Sequence, residues 1–175
     1  MRGTPLLFML FVSACNAPAG ASGEFQPSGT YAPSRPASAP PESRAVLERS
    51  ALTAYRQFHQ AFEHALETND RSRLPEVTTG LQVRHLDRVI RANHRAGVIQ
   101  RGHAVPHPRL TSFRPPTAQI VDCVTTSGLW TYRARTGARV GKPPKTQRYL
   151  LYVTLHLTNG TWKVAYITHP RNPKC

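Results

Sequence analysis

Residues 147–168 read QRYLLYVTLHLTNGTWKVAYIT, and this stretch decides the fold. Asn159-Gly160 separates two runs rich in Leu, Val, Tyr, Trp and Thr, most of them residue types that fit a pleated, half-buried surface. A two-residue Asn-Gly loop takes a type I′ turn, with φ positive at both positions, because that turn matches the twist of the strands it joins. The sequence therefore predicts a hairpin of Gln147–Thr158 and Thr161–Thr168. Its register sets Thr158 opposite Thr161, Leu157 opposite Trp162, Leu155 opposite Val164 and Val153 opposite Tyr166. Side chains alternate along a strand, so these apolar partners share the face that must be buried. Tyr152, Thr154, His156, Lys163, Ala165 and Ile167 fall on the other, mixed face.

Working outward, Thr117–Thr126 and Leu129–Arg135 also read as strands. Further upstream the period becomes helical. From Ser43 to Asn69, Leu47, Ala51, Tyr55, Phe58, Phe62 and Ala65 recur at three- and four-residue spacing, which marks an amphipathic helix. Ser43 is placed as an N-cap and Asn69-Asp70 end the pattern. A second helical stretch starts near Pro75, is interrupted at Gly80, and continues through Leu86 and Ile90 to about Gly97. Helices followed by antiparallel strands predict an α+β domain with the helices on one side of the sheet.

This order resembles the NTF2-like (cystatin-like cone) fold. It is similar to small secreted actinobacterial NTF2-like lipoproteins of unknown function. The matching residues are Tyr55 and Phe58, Val121-Asp122-Cys123, the hairpin run Gly160-Thr161-Trp162-Lys163-Val164, and Cys175. The resemblance covers about three quarters of the chain and implies N-terminal helices on a curved sheet. Enzymes of this fold place an Asp-His or similar acid/base pair inside the cone. Asp122 is the matching carboxylate here, sharing a strand face with Ile120 and Val124. A carboxylate on an apolar face can have a raised pKa and act as a base. The favoured expectation is instead that Asp122 pairs with one of the many arginines, since buried charges normally have partners.

The front of the chain reads as an address. Arg2 precedes an apolar run from Pro5 to Val12, the pattern of a signal peptide spanning residues 1–14. The run is too short to span a bilayer. Val12-Ser13-Ala14-Cys15 resembles the lipobox of bacterial lipoproteins, which implies lipidation of Cys15. Two acyl chains hold a protein stably where one does not. Cleavage after Ala17-Pro18-Ala19 would instead leave a secreted protein. Residues 15–41 form a Pro/Ala/Ser/Gly-rich tether, a disordered linker by composition. The α+β domain is assigned to 42–175. The expected location is the extracytoplasmic face of the cell membrane.

With Cys15 lipidated, Cys123 and Cys175 remain as an even pair in an oxidising compartment, so a disulfide is expected. The alternative is two separate thiols. Eight histidines are present, at 59, 64, 85, 94, 103, 107, 156 and 169, without metal-ligand spacing. His59 and His64 lie about 140° apart around a helix. His103 and His107 flank Val105-Pro106 in an expected loop. No catalytic residue, metal or cofactor is assigned, because no Gly-rich phosphate loop, Gly-x-Ser-x-Gly or paired-carboxylate motif occurs.

The net charge of +14 is uneven. Residues 42–88 balance, whereas residues 91–175 carry ten Arg and four Lys against Asp122. Arg133, Arg135, Arg139, Lys142, Lys145 and Arg148 cluster around one inter-strand loop, a pattern that attracts polyanions. Trp130, Tyr132 and Tyr149 are interleaved and would suit base stacking. These features predict a membrane-tethered, non-enzymatic binding or assembly module. Its expected partners are membrane lipid through acylation, and an anionic lipid, wall polymer or protein. The alternatives are an enzyme using Asp122 as base, and an accessory of DNA transfer, with nucleic acid not the favoured partner.

Overall fold

The computed structural model describes residues 43–142, 144–170 and 175; the expected signal segment, Cys15 and the tether lie outside these residues. Helix α1 spans Arg44–Thr68. Ser43 precedes it in extended conformation, and its carbonyl accepts from the N–H groups of Val46 and Leu47. The Ser43 hydroxyl makes no capping bond. Asn69 stops the helix in the left-handed conformation, φ 60°, with its N–H donating to the Ala65 carbonyl. Two further helices follow, α2 (Leu74–Val77) and α3 (Gly80–Arg95), with Pro75 in the first turn of α2.

Eight strands complete the domain: β1 (Val98–Arg101), β2 (Ala104–Val105), β3 (Pro108–Arg114), β4 (Thr117–Thr126), β5 (Trp130–Arg133), β6 (Arg139–Val140), β7 (Gln147–Thr158) and β8 (Thr161–Thr168). A small antiparallel sheet has the order β1-β5-β6. The larger runs β2-β4-β7-β8, with β3 also pairing with β4. Strands β4, β7 and β8 have the bounds read from the sequence. Strand β5 is shorter than the predicted Leu129–Arg135. Strands β1, β2, β3 and β6 were not expected from the pattern. Three of these four hold no more than four residues, and β3 opens on Pro108. That proline is tolerated because β3 pairs on one side only, at an edge.

The central hairpin turns as predicted, with φ 50° at Asn159 and 76° at Gly160. The inner pairs are also as predicted: Thr158 with Thr161, Leu157 with Trp162, and Leu155 with Val164. Beyond them the register differs. Val153 pairs with Ile167, and Thr154 with Tyr166, because Ala165 is inserted as a β-bulge. One extra residue exchanges the two faces of a strand beyond it. Ile167 therefore joins the inner row, while Tyr166 is left 50% exposed.

The same strand divides the second helical stretch. Thr79 N–H donates to the Val164 carbonyl at 2.9 Å, and the Thr78 hydroxyl donates to the Leu74 carbonyl at 2.6 Å. These bonds separate α2 from α3, so Gly80 starts a helix and does not merely interrupt one. The core lies between the helices and the inner face of the larger sheet. Tyr55, Phe58, Leu86 and Ile90 pack over Ile120, Val124, Val153 and Leu155. Each fully buried large apolar side chain stabilises by about 2 kcal/mol. The architecture is α+β, with helices packed against an antiparallel sheet, as the sequence predicts. On the outer face of β4, Cys123 is bonded to Cys175, with Cα atoms 5.8 Å apart.

Candidate functional site: a cavity between helices and sheet

Helix α1, helix α3 and the ends of β7 and β8 enclose a cavity of about 550 Å³, within the range of small-molecule sites. Helical spacing puts Phe58, His59, Phe62 and Leu66 on the α1 side. Leu86 lines it from α3, and Leu151 and Ile167 line it from the sheet. The bulge at Ala165 is what brings Ile167 inward. The walls are thus largely aromatic and aliphatic. Gly102 to Ala104 close one side, where Glu63 Oε1 accepts the Ala104 N–H at 2.7 Å and Glu63 Oε2 lies 3.3 Å from His103 Nδ1.

Asp122 lies behind this wall, fully buried in β4 between Ile120 and Val124. Its strand parity is as read from the sequence. Its partners are not. No arginine among the described residues pairs with it. The Tyr55 hydroxyl donates to Oδ2 at 2.7 Å, and the His107 N–H donates to Oδ1 at 2.6 Å. The reason is topological. The inward side of β4 faces α1, whose arginines Arg44, Arg49 and Arg56 are all exposed. The edge pairing of β4 also lapses between β2 and β3, which frees the His107 N–H for a side-chain acceptor. Burial raises the Asp122 pKa, and the two donated hydrogen bonds oppose that rise. Burial, with the neighbouring carboxyl of Asp122, holds the Tyr55 hydroxyl firmly in its protonated form.

His59 is the one buried histidine; the other seven are exposed. Its ring packs edge-on against Tyr55 at 4.8 Å and Phe58 at 5.3 Å. Nε2 lies 3.9 Å from Asp122 Oδ2 and has no hydrogen-bond partner among the described residues. Burial lowers the His59 pKa to about 4, so the ring is neutral at pH 7. Helical spacing sets His59 and His64 on different faces and by itself gives His59 no role beyond that of a solvated or hydrogen-bonding histidine. The available signal was its place among Tyr55, Phe58 and Phe62, inside the apolar arc of α1. His59 lines the cavity, whereas Asp122 and Tyr55 do not.

The six clustered basic residues read from the sequence sit elsewhere. Arg133, Arg135 and Arg139 belong to the β5–β6 hairpin, Lys142 and Lys145 to the link into β7, and Arg148 to the start of β7. All six are exposed, and none forms an ion pair with another described residue. The aromatic residues among them are not free platforms. Arg139 lies 4.9 Å over the Trp130 ring and Arg101 5.2 Å over Tyr132. Tyr149 points to the cavity instead.

No protein-family model matches the sequence, and no curated protein matches it. Solved structures are similar in fold. The intermembrane-space region of the chloroplast protein ARC6 superposes with a TM-score of 0.56 at 12% identity, over 69% of this chain and 94% of that one. A protein of unknown function with a cystatin-like fold from Nostoc punctiforme gives 0.43 at 13% identity, over 74% and 96%. An uncharacterised protein with a cystatin-like fold from Caulobacter vibrioides gives 0.40 at 14%, over 69% and 91%. At such identities the likeness is one of fold alone.

Proposed function

We propose that the domain is a non-enzymatic binding module, held at the outer face of the cytoplasmic membrane by an acylated Cys15, and that the cavity is its binding site. The observation that supports the site is the apolar-walled space of about 550 Å³, from which the buried carboxylate of Asp122 is set back. A wall of this composition binds by burial of apolar surface, about 25 cal/mol per Å² removed from water. A second reading is acid-base catalysis in the same cavity. It is favoured by one contact, His59 Nε2 at 3.9 Å from Asp122. In that case His59, not Asp122, is the group that meets substrate.

Two measurements test the proposal. The neutral fluorophore N-phenyl-1-naphthylamine should brighten on binding the purified chain. Phe62→Glu, which places a charge in the wall, should abolish that signal while circular dichroism stays unchanged. Equal binding by a folded Phe62→Glu variant would refute the cavity as the site. For the anchor, wild type and Cys15→Ala are fractionated from a bacterium that processes lipoproteins. Wild type should enter the membrane fraction and Cys15→Ala should not. Equal partitioning would refute acylation at Cys15.

A further inference from the structure

The cavity has a charged mouth as well as an apolar interior. Arg84 and Arg88 both line it, one helical turn apart on α3, and side chains four residues apart share a helix face. Both are exposed, and neither is in an ion pair among the described residues. The nearby acids are already engaged. Asp87 is held by Arg71 and Arg91, and Glu63 by the Ala104 N–H and His103. Two guanidinium groups therefore stand uncommitted beside a space walled by Phe58, Phe62, Leu66 and Leu151. Leu81 and Leu129, 60% and 45% exposed, extend the apolar surface outward. An apolar interior with cations at its opening is complementary to a molecule with an apolar body and an anionic end.

We infer that the cavity takes a single-chain aliphatic anion, an alkyl carboxylate whose chain lies among the aromatic and leucine side chains and whose head group meets Arg84 and Arg88. This rests on the cavity reading above. A guanidinium presents a fixed fork of donors that matches a carboxylate, and such charge-assisted bonds are about twice as strong as neutral ones. The chain supplies affinity by burial, and the arginines supply the choice of head group.

The experiment uses the purified full chain and three probes with twelve-carbon chains, the carboxyl carbon of dodecanoate included: dodecanoate, dodecanol and dodecyltrimethylammonium. Each displaces N-phenyl-1-naphthylamine below its micelle concentration. Dodecanoate should bind about tenfold or more tightly than dodecanol, and dodecyltrimethylammonium more weakly than both. Arg84→Gln/Arg88→Gln should remove the preference for dodecanoate while leaving dodecanol unchanged, which also shows that the variant folds. Equal affinity of wild type for dodecanoate and dodecanol would overturn the anion assignment and leave the cavity reading standing. An unchanged preference in the double variant would overturn the role of these two arginines. Failure of all three probes to bind would overturn both readings.

Discussion

His59 carries a cost that depends on pH. Its imidazole is buried against Tyr55 and Phe58 and resists protonation down to about pH 4, whereas in the unfolded chain it takes a proton near 6.5. Between those values the unfolded state binds more protons, so stability falls as pH drops from about 6.5 to 4. The full shift corresponds to about 3 kcal/mol. Asp122 acts in the opposite sense. Its folded-state carboxyl takes up a proton at a higher pH than the unfolded one, so acidification through that range relieves the cost of burying its charge. Urea unfolding of wild type and His59→Leu between pH 7 and 4 separates the two, since Asp122 is present in both. Wild type should lose about 3 kcal/mol more than the variant across that range. Parallel stability profiles would show that the imidazole is not held neutral.

Strand β4 is the element on which the domain turns. Its inner face carries Ile120, Asp122 and Val124, its outer face carries Cys123, and its length pairs with β7 from Thr117 to Thr126. The bond from Cys123 to Cys175 spans 52 residues, and closing a loop of that length restricts the unfolded chain by about 4 kcal/mol. Cys123→Ala/Cys175→Ala should therefore unfold with a free energy lower by about 4 kcal/mol, read by urea titration at fixed pH. An unchanged midpoint would mean that the chain ends are already confined without the bond. The elements that were legible in the sequence are those whose pattern is long. The apolar arc of α1, ten residues of β4 and the Asn-Gly hairpin each carry enough repeats to declare a period. The two-residue strands β2 and β6 do not, and the bulge at Ala165 leaves no mark in an alternating pattern. The cavity was illegible for a related reason. Its lining is assembled from α1, α3 and the far ends of β7 and β8, and no local spacing records that meeting.

At the scale of the whole molecule, a second cluster of basic residues lies apart from the cavity and its two arginines. The β5–β6 hairpin and the link to β7 present Arg133, Arg135, Arg139, Lys142 and Lys145 to solvent. Exposed charges of this kind add little to stability, so reversing them tests binding without risking the fold. Vesicles containing anionic lipid should retain the chain at low salt and release it as salt rises, because the Debye length contracts to about 8 Å at physiological ionic strength. Arg133→Glu/Arg135→Glu/Arg139→Glu should lose most of that retention; an equal response would show that this hairpin is not the contact. A different consequence follows from the outer margin of β8. That strand ends the larger sheet, and an open margin is a template on which a second chain can add. Here the Thr79 N–H already occupies the Val164 carbonyl, Lys163 Nζ reaches across to the Pro75 carbonyl at 2.6 Å, and the Ala165 bulge breaks the flat run. The segment that divides α2 from α3 thus also caps part of that margin, at the point where a second strand would otherwise pair and begin a fibril-like stack.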